Sequence, residues 1–141
     1  MYSSARKAVD TYAQVGVETG VASADPHRLI LMLFDGALAA IATARLAMSR
    51  SEIAAKTGAV SKAIAIIDGG LKASLDVGAG GELAVRLSEL YDYMLKQLLV
   101  ANLRNETTTL DEVSRLLNEL RGAWAQIGAK QDPVGAQGSA P

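Results

Sequence analysis

The chain has no cysteine. A disulfide framework, a thiol nucleophile and a Cys-ligated metal are therefore excluded, and the redox compartment leaves no mark on the sequence. Histidine is almost as scarce. His27, the single copy, cannot complete a common metal site, and the paired Glu-x-x-His motifs of a di-iron bundle are absent. In the first turn of a helix such a residue reads as solvated or cap-related rather than catalytic. Aromatic residues make up 4% of the chain against 50% hydrophobic residues, and Ala and Leu dominate the remainder, which favours helices over strands. Charge of one sign is missing too: 14 basic against 15 acidic residues leave a formal net charge of −1, with no field to draw in nucleic acid or an anionic membrane. The opening MYSSARKAVDTY lacks the apolar core of a secretory signal, so a cytoplasmic location is expected. A length of 141 residues suits one domain with one core.

What the chain does have is helical periodicity. Pro26 to Met48 opens with Asp25 as N-cap and proline at the first helical position, where the missing N–H costs nothing. Ile30, Leu33, Phe34, Ala37, Ile41, Ala44 and Met48 fall on one face. A second apolar stripe, Leu29, Met32, Gly36, Ala40, Thr43 and Ala47, runs beside it. The combined arc is wider than folding alone requires, so this helix is either central or covered by something outside the chain. A membrane span is not expected, because Arg28 and Arg45 bracket a short apolar run and Asp35 near its middle would be costly in lipid.

Three further helices follow. Val60, Ile64, Ile67, Leu71 and Leu75 form a seam interrupted by Gly69-Gly70, each glycine costing about 1 kcal/mol relative to alanine. The preferred reading is that the bundle tolerates the glycines or bends there; the sharper one is that Ile66, Gly70 and Ala73 make room for another helix. The stretch VGAGGE reads as a turn, since the lysine and hydroxyl residue of a phosphate loop are missing. Leu83, Leu87, Leu90, Met94, Leu98 and Ala101 mark the third helix, with Tyr93 and Val100 pointing outward. Thr109-Leu-Asp-Glu112 reads as a capping box for the fourth, which carries Leu110, Val113, Leu117, Leu120, Trp124 and Ile127 and stops at Gly128. The expected architecture is all-α: an antiparallel four-helix bundle over 25–128, a short N-terminal helical segment over 1–24 and a disordered tail over 129–141. Glu82, Glu89 and Asp92 read as a solvated face, and no catalytic residue, metal ligand or cofactor site is expected.

Four segments together resemble the flagellar secretion chaperone FliS family. They are YAQVGVET from Tyr12, DPHRLILMLFDGAL from Asp25, GGELAVRLSELYDYM from Gly80, and Ala101-Asn102 followed by EVSRLLNELRGAW from Glu112. Gly69-Gly70 and the long Thr19 to Pro26 junction depart from the family pattern. The resemblance implies a cytoplasmic four-helix export chaperone that binds the disordered C-terminal region of flagellin and holds it monomeric until secretion. It also implies an N-terminal segment that shields the binding surface in the free protein, and possible dealings with the flagellar export apparatus. No nucleic acid or membrane partner is expected. Candidate partner-binding positions are Tyr12 and Val17 in the N-terminal segment, Leu29, Met32, Gly36 and Ala40 on the first long helix, and Ile66, Gly70 and Ala73 opposite. The competing expectation is a structural bundle whose second stripe closes a homodimer.

Overall fold

The computed structural model describes residues 10–11 and 25–131, with only the backbone given for 129–131. Among the described residues there are four long helices: α1 (Pro26–Ser49), α2 (Ile53–Ala65), α3 (Val77–Arg104) and α4 (Thr107–Gln131). A π-helical turn, Ile66–Lys72, prolongs α2. The protein is an all-α bundle. The expectations for the N-terminal segment, Tyr12 and Val17 included, and for the tail beyond Gln131 lie outside the described residues.

Helix starts and stops follow local chemistry. The Asp25 carboxylate accepts from the Arg28 N–H at 2.8 Å, with Pro26 in the first turn, so α1 begins as its sequence indicates. Asp76 caps α3 in the same way, accepting from Ala79 N at 3.0 Å. The glycine-rich stretch expected as a turn is instead the first turn of α3, broken at Gly81, whose φ of 59° and ψ of −140° suit glycine alone. That break carries Leu83 out of the core, to 59% exposure, although its spacing had placed it on the inward face. Val100, expected outside, is half-buried. Asn105, in the left-handed region, ends α3. α4 starts at Thr107, two residues ahead of the expected cap, and Thr109 inside it donates its hydroxyl to Glu106 at 2.9 Å. Glu112 is therefore free to accept from Tyr93 Oη and Gln97 Nε2 on α3 rather than to cap its own helix.

Cross-helix bonds fix the antiparallel order of α1 and α4. Arg45 reaches Asp111 at one end, Asp35 meets Arg121 further along, and His27 meets Trp124 at the other end. Lys56 at the start of α2 likewise bonds the end of α3, donating to Asn102 O at 2.9 Å and Asn105 Oδ1 at 2.7 Å. A cation there answers the carbonyls that a helix C-terminus leaves without intrahelical partners.

The core forms around α1. Leu33, Phe34, Ala37, Ile41 and Ala44 are buried, as the spacing requires, and pack with Val60, Ile67, Leu71, Tyr91, Met94, Leu98, Leu110, Val113 and Leu117. By length and composition α1 is long and apolar enough to cross a membrane, which the sequence argument had denied. It nevertheless lies among the other helices, with Asp35 bonded to Arg121.

A π turn falls at the double glycine. Ala73 N bonds Asp68 O five residues back, at 3.1 Å, the mark of a widened turn. The extra residue rotates the helix, so that Ile66, Ile67, Gly70 and Leu71 all become buried. Simple tolerance does not describe Gly70: a Cβ there would stand 2.9 Å from Leu33 Cδ2 and 3.2 Å from Thr11 Cγ2. The space at Gly70 is closely packed, with the side-chain ends of Leu33 and the buried Thr11 filling it.

Candidate functional site

A groove of about 590 Å³ opens between α1 and α2. Met32, Asp35, Gly36, Ala39, Ala40 and Thr43 form its α1 wall. Ala55, Gly58, Ala59, Lys62 and Ile66 form the other. The floor is built almost entirely of glycine and alanine, so the helix backbones lie near the surface there. Its polar residues, Asp35, Thr43 and Lys62, are exposed.

The nine candidate positions do not all meet. Met32, Gly36, Ala40 and Ile66 line this groove together, Ala40 and Ile66 as buried members of the core that border it. Leu29 shares the angular position of Ala40 and Ala47 at the edge of the core face, and with 1% exposure it belongs to the core instead. Gly70 is filled by Leu33 and Thr11, and Ala73 lies past the π turn; neither lines the groove. Tyr12 and Val17 are outside the described residues. Ala39, Ala55, Gly58, Ala59 and Lys62 line the groove without having been singled out. Ala55, Gly58, Ala59 and Lys62 recur at three- and four-residue spacing along α2, a small-residue stripe that was legible but unremarkable without knowing which helix faces it.

The edge charges differ in state. Asp35 accepts from Arg121 Nε at 2.5 Å and from Nη2 at 3.3 Å, so its charge is already answered. Lys62 has no ion pair among the described residues. The groove thus offers apolar surface with a cation on its rim, Lys62, that no described acidic residue answers.

A second, smaller cleft of about 140 Å³ lies between α1, α3 and α4, where Phe34, Leu87, Tyr91, Leu120 and Trp124 surround a wholly apolar space rimmed by Leu83. Trp124 forms its wall because His27 holds it. The two rings stack with centroids 4.8 Å apart. His27 Nε2–H donates to Trp124 O at 2.6 Å, and Trp124 Nε1–H donates to His27 O at 3.0 Å. His27 is therefore neither solvated nor a cap; it joins the start of α1 to the end of α4. Gly128 fits beneath it, since a Cβ would stand 2.0 Å from the imidazole, and the helix continues past this glycine to Gln131.

Among the described residues, no three His, Asp or Glu side chains converge as a metal site. The fold is thus an all-α bundle with a small-residue groove between two of its helices. Residues 8–131 match the family described as Flagellar protein FliS. The chain belongs to the FliS family. It is 55% identical over 122 residues to the flagellar secretion chaperone FliS of Salmonella typhimurium, covering 86% of this chain and 90% of that one. It is 49% identical over 123 residues to the flagellar secretion chaperone FliSB of Pseudomonas aeruginosa, covering 87% and 97%. Against FliS of Escherichia coli the identity is 42% over 134 residues, covering 92% and 98%. These relatives bear the names of chaperones, and the family is not one of enzymes.

Proposed function

We propose that the protein is a cytoplasmic export chaperone that receives the disordered C-terminal region of flagellin in the groove between α1 and α2 and keeps it from polymerising before secretion. The observation that carries this reading is the groove itself, apolar, open and lined by Met32, Gly36, Ala40 and Ile66, in a chain whose relatives are named flagellar secretion chaperones. A disordered segment folding into such a groove as an amphipathic helix gains apolar burial and loses chain entropy. The two terms oppose, which keeps the complex releasable. No cofactor enters this function.

Calorimetry with a peptide of the flagellin C-terminal region tests it. The wild-type protein should bind, whereas Met32→Glu, which forces a carboxylate to be desolvated on binding, should bind much more weakly while Tm stays within a few degrees. Undiminished affinity in the variant would move the site elsewhere, and an unfolded variant would make Met32 a core residue. Light scattering separates the competing reading: a stable dimer indifferent to peptide would favour a self-associating bundle.

A further inference from the structure

Two glycines in helix interiors, Gly58 in α2 and Gly122 in α4, have nothing within 4 Å of the place a Cβ would take. Packing among the described residues therefore requires neither, although glycine is the weakest helix former after proline. Gly58 differs from Gly122 in lining the groove. Its missing side chain leaves the α2 backbone bare at that point, between Ala55 and Ala59 and across from the Gly36, Ala39 and Ala40 wall.

We propose that the occupant of the groove is an amphipathic client helix lying directly on the α2 backbone at Gly58, with a large aliphatic side chain filling the space there and a carboxylate meeting Lys62. This rests on the client reading above and specifies which face the client presents. Helices approach more closely where the contacting side chains are small, and a bulky residue on one fits the hollow left by glycine on the other. The charge follows from the rim. Lys62, one turn beyond Gly58, is exposed and without an ion pair among the described residues, while Asp35 across the groove is held by Arg121 at 2.5 Å. An acidic residue on the client complements what remains; a basic one would face Lys62 with no partner.

The test uses the full chain and the flagellin C-terminal peptide in calorimetry, with thermal unfolding alongside. Gly58→Ala should raise Tm, since alanine is the better helix former and meets nothing, yet weaken peptide binding about tenfold by overfilling the contact. Lys62→Glu should weaken binding about twofold to fivefold and turn the salt dependence from loss to gain, with Lys62→Arg close to wild type. Wild-type affinity in Gly58→Ala overturns the close approach, and wild-type affinity in Lys62→Glu overturns the acidic partner group. A lowered Tm in Gly58→Ala would show that the space is already filled in the free protein and overturn the premise. Self-association that Gly58→Ala abolishes, with peptide binding unaffected, would assign the groove to a second copy of the chain. A wild-type protein that ignores the peptide refutes the client reading and this inference together, whereas binding that both variants share with wild type refutes the inference alone.

Discussion

Replacing Gly128 with alanine should loosen the junction between the start of α1 and the end of α4. The new Cβ would stand 2.0 Å from His27 Cε1, 2.2 Å from Nε2 and 2.5 Å from Nδ1, so the imidazole has to leave its place. Leaving breaks the bond from Nε2–H to Trp124 O, worth about 0.5–1.5 kcal/mol. It also ends the stack on the indole, worth about 0.5–1.5 kcal/mol. The better helix propensity of alanine returns about 1 kcal/mol at most. The balance is a loss of roughly 1 kcal/mol, which a domain of this size shows as a fall of about 3–5 °C in Tm. Gly122→Ala is the control, because the same change on the same helix meets nothing within 4 Å and should raise Tm. In a His27→Ala background the ring is gone, and Gly128→Ala should turn neutral or stabilising. Circular dichroism melts of the four variants decide the matter. Stabilisation by both alanines in the wild-type background would refute the junction, and an undiminished loss in the His27→Ala background would place the cost elsewhere.

Gly70→Ala should destabilise by about 1–2 kcal/mol in urea unfolding, because its Cβ would press on Leu33 and Thr11 by more than alanine's helix propensity returns; a gain would mean that the neighbours shift freely. Lys56→Ala should cost about 1.5–3 kcal/mol, since it strips Asn102 O and Asn105 Oδ1 of a buried charged donor at the end of α3; no measurable loss would show that water replaces the ammonium. Asp111 gives a pH signature. The hydrogen bond from Arg45 holds its carboxyl below the ordinary 3.8, so its contribution is full above the unfolded value and vanishes as pH falls through the lower folded one. Wild type should therefore exceed Asp111→Asn at neutral pH, with the gap closing in acid; a gap that persists in acid would have another cause.

Much of the fold could be read from spacing because α1 is regular. Its core face needs only 3.6 residues per turn, and Asp25 with Pro26 marks its start by local chemistry alone. The same rule misleads where the backbone departs from it. A wheel drawn through Gly69-Gly70 splits Ile66 and Gly70 from Ile67 and Leu71, whereas the π turn buries all four. The break at Gly81 likewise ends the register that put Leu83 inside. Thr109 and Glu112 satisfy the capping-box pattern, but Glu112 finds Tyr93 and Gln97 across the interface, and the helix starts earlier. A pattern states which bonds a residue can make; the neighbouring helix decides which it does make.

For the groove, the sequence supplied one wall and missed most of the other. The second stripe of α1 is visible because an apolar arc broader than a core face must be covered, by the bundle or by something else. How it divides between those two fates depends on helix azimuth: Leu29 and Ala40 occupy equivalent positions and both enter the core, yet only Ala40 also borders the groove. On α2, small residues carry no hydrophobic signal of their own, so Ala55, Gly58 and Ala59 look like unremarkable helix filler. Their role is set by what they leave out. Where a bundle packs for itself, a space the size of a side chain costs stability and is filled, as Leu33 and Thr11 fill the space at Gly70. Where a helix pair lines a groove with glycine and alanine and leaves it open, as the proposed function requires, a bound chain would draw on burial that folding has not already used.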